Sequence, residues 1–259
     1  LSQGADPLAQ TQEGESAVLL AIDSGDLPLL KRLLERAKSF NFKQAALELY
    51  LIDAISQGHL EMANFLLDQV VNPRLADSVG RTPLKAAVEF EQSDVLKRLL
   101  KMGISPQPQE QKELLWAVLE QGNLEQLKLL AEQGLPLFLP DESGTTSLML
   151  AAGSGNLALL QYLLEKGADL KARNQEAEDA LFFAVRQGQL DTAQYLLEQG
   201  LLPPAGHADQ SRLLHHAVSS GNWDIFQLLL KKGLRLERLP DKGQSLLNTA
   251  IGYGRLNFI

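Results

Sequence analysis

Glycine recurs at a fixed interval along this chain. Gly25, Gly58, Gly122, Gly155, Gly188, Gly221 and Gly254 fall on one ladder, with Glu91 on the missing rung. Every step is 33 residues except the one from Glu91 to Gly122, which is 31. Four residues before each rung stands Ala21, Ala54, Ala87, Val118, Ala151, Ala184, Ala217 or Ala250. Eight and nine residues after it come leucine pairs: Leu33-Leu34, Leu66-Leu67, Leu99-Leu100, Leu163-Leu164, Leu196-Leu197 and Leu229-Leu230, with Leu130-Ala131 in the fourth unit. A second glycine follows 12 residues after the first at Gly103, Gly134, Gly167, Gly200 and Gly233, and Ala37 and Val70 hold that place in the first two units. A period of this length confines the chain to one small supersecondary unit repeated, which cannot bury its own apolar face and must stack on its neighbours.

Each unit reads as two short helices, each stopped by glycine, which takes the left-handed conformation without a Cβ clash. The alanine lets neighbouring helices approach closely, and the leucine pair fills the space between stacked units. Gly155, Gly167 and Gly200 are therefore expected at positive φ, and the helix that reaches Glu91 is expected to end differently. Two helices occupy so much of 33 residues that the fold is expected to be all-α, with very little sheet.

The tract Gly80-Arg81-Thr82-Pro83-Leu84-Lys85-Ala86-Ala87, the tract Gly144 to Ala152 and its continuation Gly167-Ala168-Asp169-Leu170 resemble the ankyrin repeat. That unit is a β-turn and two helices with a T-P-L-H-x-A signature. The resemblance covers the whole chain and implies an ankyrin-repeat solenoid, an all-α stack of helix-turn-helix units with short, partly degenerate β-turns. The units run 9–41, 42–74, 75–107, 108–138, 139–171, 172–204 and 205–237, with 1–8 the end of a preceding repeat and 238–259 an incomplete one. Gly4 precedes Gly25 as Gly134 precedes Gly155, and Gly254 to Ile259 opens a second helix without its leucine pair, so the array reads as an excerpt of a longer chain. Asp77 to Gly80, Asp141 to Gly144 and Asp241 to Gly243 keep a plain acid-plus-glycine turn. Phe42 to Tyr50 reads as helix, while Ser105 to Pro108 and Pro203 to Gly206 carry prolines that supply no amide donor.

Composition narrows the partners. The net charge is −8 and no basic tract is present, which argues against nucleic acid. No apolar run approaches the roughly 18 residues of a membrane helix, so membrane insertion is not expected. Without cysteine, thiolate zinc sites and disulfides are excluded. No metal, cofactor or small-molecule substrate is expected. The compartment is not fixed, with a lean to the cytoplasm, and the worn turns of these Leu- and Gln-rich repeats lean to a bacterial source.

His215-His216 is the one histidine pair, and the further ligands a metal needs are scarce. His215 instead fills the signature histidine slot. Gly153-Ser154-Gly155-Asn156 resembles a phosphate loop only faintly, since it links two helices rather than a strand and a helix. Trp116 and Trp223 stand in slots held elsewhere by packing residues. No spacing identifies a catalytic pair, and the chain is not expected to be an enzyme.

The resemblance implies that the first helices line a concave binding face. The two positions before each rung lie on that face and are mostly polar, but Phe90 and Tyr253 break the pattern, and exposed aromatics are over-represented in binding hot spots. Glu89 and Glu120 offer charge to a basic partner, and Arg186 offers a fork to an acidic group. Asp53, Phe183 and His216, one residue before the alanine, flank the same face. These eight residues are the predicted partner-binding set. The partner is another protein, neutral or basic at the contact. The alternatives are a targeting or substrate-recruiting module of a larger enzyme or effector, and a spacer without a specific ligand.

Overall fold

The computed structural model describes residues 6–7, 9, 11, 16–37, 45–69, 72–203, 208–235 and 250–255. Among the described residues there are fourteen α-helices and no β-strand. They divide into two compact units, Leu1–Val118 with Glu125–Leu135, and Leu119–Leu124 with Pro136–Ile259.

In the first unit the helices are α1 (Ala17–Asp23), α2 (Leu27–Ala37), α3 (Ala45–Ser56), α4 (Leu60–Leu67), α5 (Pro83–Glu89) and α6 (Ser93–Lys101), followed by most of α7 (Gln111–Gln121) and α8 (Leu124–Glu132). Successive helices pair as α1 with α2, α3 with α4 and α5 with α6. The first helices α1, α3 and α5 stack on one another, and α4 packs on α6. The second unit repeats the scheme with α9 (Ser147–Ser154), α10 (Leu157–Glu165), α11 (Ala180–Arg186), α12 (Leu190–Glu198), α13 (Ala208–Ser220) and α14 (Trp223–Lys231). There α11 lies between α9 and α13, and α12 packs on α14.

The periodic residues build the core. All eight small-residue slots, from Ala21 to Ala250 and including Val118, are buried. Leu33, Leu66, Leu99, Leu163, Leu196 and Leu229 are buried as well, and each removes an apolar side chain from water at a gain of about 2 kcal/mol. Trp223 departs from its expected packing role: it is 38% exposed and stacks on Phe226 at 5.5 Å.

The expected left-handed glycines are found, with φ of 74° at Gly155, 98° at Gly167 and 86° at Gly200. Glu91 overturns the expectation attached to it. Its φ is 55°, and its helix ends like the others. The Glu91 amide donates to the Val88 carbonyl at 3.1 Å and the Gln92 amide to the Ala87 carbonyl at 2.8 Å. Gly25 and Asp26 make the same two bonds, to Ile22 and Ala21. The stacked alanine slot and those paired carbonyls dictate the ending, and the glutamate accepts the backbone they impose.

The loops before α5, α9 and α11 are also copies of one another. Asp77 accepts the Gly80 amide at 3.1 Å, Asp141 accepts that of Gly144 at 3.2 Å, and Asn174 accepts that of Ala177 at 3.0 Å, in each case on the backbone carbonyl. The side-chain oxygen of the same residue then takes two more amides, those of Val79 and Arg81, of Ser143 and Thr145, and of Glu176 and Glu178. The third copy was hidden in the sequence because Asn174 replaces the acid and Ala177, at φ 58°, replaces the glycine. Gly4, Asp241 to Gly243 and Phe258 to Ile259 lie outside the described residues.

Candidate functional site

At the two positions before each rung, the predicted binding face, none of the sixteen residues is buried. In the first unit this face carries ion pairs. The Asp77 turn places Arg81 so that its Nε lies 2.8 Å from Glu89 Oε2, and Nη1 lies 3.8 Å from Asp77. Lys85, one helical turn from Glu89, lies 3.9 Å from it and also pairs with Glu113, which raises the lysine pKa. Glu89 is therefore already partnered rather than a bare charge. Phe90 is 37% exposed, with the Arg81 guanidinium 5.4 Å from its ring centre. Asp53 is half-buried, and burial pushes its carboxyl pKa up, with Asp23 and Asp77 adding to the shift and Arg81 opposing it.

In the second unit Glu120 is exposed and Tyr253 is 62% exposed. Phe183 corrects its expectation. It is buried at 9% exposure, beneath Arg186, whose guanidinium carbon lies 4.6 Å from the ring centre. Arg186 is not a loose fork either: Nη1 donates to Glu178 Oε2 at 2.9 Å. His216 lies 3.8 Å from the other oxygen of Glu178 and edge-on to Phe182 at 6.0 Å. Burial pulls the His216 pKa down, Glu178 opposes that, and Arg186 and Arg212 reinforce it.

The sequence reading missed what joins these residues. Glu178, only 3% exposed, also lies 3.8 Å from Arg212, which reaches Asp209 at 3.2 Å. Arg173 completes the series, 2.8 Å from Asp209 and 3.8 Å from Asp179. Asp179 in turn caps α11 by accepting the Leu181 amide at 3.0 Å and the Phe182 amide at 3.3 Å, and burial raises its pKa despite those bonds. One signal was available. The residue after the turn and the residue eight positions later carry opposite charge in both units, Arg81 with Glu89 and Glu178 with Arg186. No such signal marked Asp209 and Arg212, whose unit begins with prolines instead of the turn.

An apolar pocket of about 100 Å³ lies among Phe138, Pro140, Leu148, Ala168 and Ala172. Cofactor and ligand pockets run to roughly 300 Å³ and above, so it suits a single side chain better. Among the described residues no helix is long and apolar enough to cross a membrane, and no group of three His, Asp or Glu residues is placed to hold a metal.

The family model described as ankyrin repeats (3 copies) matches residues 20–110 and 114–205, well over half of the chain. A mouse (Mus musculus) protein named "Glutaminase liver isoform, mitochondrial" is similar to this chain, at 35% identity over 83 residues. That stretch is 32% of this chain and 14% of the mouse protein, so the chain spans a small part of that relative.

Proposed function

This chain belongs to the ankyrin-repeat family, and on that premise we propose that it binds a partner protein through the face formed by the first helices and the turn tips. Family membership supports a general role in protein interaction. The observation that carries the finer reading is the exposure of the paired positions beside fully buried alanine slots, with Phe90 and Tyr253 offering aromatic area. At the first unit the partner in this reading is neutral or basic, because the acids Glu89, Glu113, Asp53 and Asp77 outnumber the cations Arg81 and Lys85 that pair with them. The loops at Asp77, Asp141 and Asn174 are the family's β-turn tips in this reading, and the array itself carries no catalysis. A bacterial source belongs to the same reading and rests on composition.

The test is a partner recovered by pull-down and then titrated against two variants of the chain. Replacing Glu89, Phe90 and Glu120 by alanine should weaken binding at least tenfold, about 1.4 kcal/mol. Replacing exposed Arg32, Gln161 and Asp191 on the second helices should leave it unchanged. The opposite pattern would place the contact on the second helices and refute the reading.

The second reading is a recruiting module of a larger enzyme. The match to a segment of a protein named a glutaminase favours it. It would be supported by a catalytic domain in the same full-length polypeptide.

A further inference from the structure

We propose that the arginine ladder of the second unit receives a carboxylate-bearing segment of the partner protein, an inference that rests on the partner-binding reading and gives it a chemistry. The ladder alternates Arg186, Glu178, Arg212, Asp209 and Arg173, each guanidinium paired with one or both of the carboxylates beside it. Its two signs are not equally accessible. The side chains of Glu178 and Asp209 are 3% and 5% exposed, whereas those of Arg173, Arg186 and Arg212 are 38%, 35% and 32% exposed. The acids lie beneath and the donors lie above, so an approaching chain meets guanidinium N–H groups even though the protein carries a net charge of −8.

The donors are also held in place. Arg186 rests on the ring of Phe183, and Arg212 rests on that of Phe182 at 4.8 Å, so one face of each guanidinium is fixed by an aromatic and one edge by a buried carboxylate. A guanidinium has five N–H donors, and among the described residues Arg186 commits only Nη1. Arg186 and Arg212 approach Glu178 from its two different oxygens, so both border one carboxylate. A second carboxylate set across the pair from the solvent side would use the remaining donors in the same forked geometry. Little side-chain freedom is left to lose when it docks. The ladder's own acids, Glu178 and Asp209, are covered and offer a basic segment little.

The test is fluorescence anisotropy of the 259-residue chain with a labelled hexaglutamate peptide at low salt. Arg186→Gln should weaken binding at least tenfold. Glu178→Gln keeps the size of the side chain and one acceptor oxygen but removes the charge that Arg186 bonds and that Arg212 shares with Asp209, and it should tighten binding severalfold. Absence of hexaglutamate binding, or binding that neither variant changes, overturns the proposal. A phosphoserine hexapeptide that binds more tightly and responds to the same variants overturns the carboxylate assignment in favour of phosphate. None of these failures touches the broader reading, which stands or falls with the response of the natural partner to the Glu89, Phe90 and Glu120 set.

Discussion

Replacing Glu91 by glycine should stabilise this protein. Glu91 sits between α5 and α6 at φ 55°, in the backbone conformation that glycine holds at the other rungs. A residue with a Cβ pays about 1–2 kcal/mol to be left-handed. The greater freedom of glycine in the unfolded chain returns about 0.4–1 kcal/mol of that. The side chain offers nothing to offset the strain, being exposed and bonded to no described residue. Its charge faces the end of one helix and the start of the next, whose dipoles act on it in opposite senses. The expected net gain is therefore roughly 0.5–1 kcal/mol. It should appear as a higher urea midpoint at unchanged slope and as slower amide exchange in α5 and α6. The reciprocal control is Gly58→Ala. A Cβ there would meet only Gln92 Nε2 at 3.6 Å, an ordinary contact, so the loss of about 1 kcal/mol would be backbone strain alone. A midpoint that stays put or falls in Glu91→Gly, with the control destabilised as expected, would show that the glutamate is held there without strain.

Ala177→Gly should stabilise the second unit by a similar roughly 0.5 kcal/mol, read by the same urea midpoint, since Ala177 adopts φ 58°. Gly167→Val should cost on the order of 1 kcal/mol or more in the same assay, because φ is 98° and a Cβ there would touch nothing that could repay the strain. Glu178→Ala should destabilise by about 1.5 kcal/mol in chemical unfolding, since it removes the acceptor of the Arg186 hydrogen bond while both guanidiniums keep contact with water and Arg212 keeps Asp209. Acid should weaken the second unit: burial holds the folded pKa of His216 below the unfolded value of 6.5, so its stability is fully present above pH 6.5 and is lost as pH falls towards the folded pKa. Burial acts the same way on His215, and a His215→Gln, His216→Gln double variant should flatten that limb of the stability–pH curve.

The repeat ladder by itself determines most of the architecture. A 33-residue spacing of glycine, alanine and leucine pairs leaves few ways to bury the leucines except by stacking helix pairs, and the buried slots from Ala21 to Ala250 follow from that periodicity. Exposure at Phe90 and Tyr253 was legible for the same reason, because the slots beside them point into the stack and theirs cannot. Tertiary structure decided which charges are free. Glu89 and Arg186 looked equally available in the sequence, but each meets a partner supplied by the turn that precedes its own helix. Glu178 then meets Arg212 only because α13 stacks on α11. The endings at Glu91 and Ala177 were visible only in the structure, although local hydrogen bonds set them. Local propensity disfavours a left-handed residue at either position, and the hydrogen bonds of the surrounding helix end and turn outweigh that preference by holding the backbone from both sides.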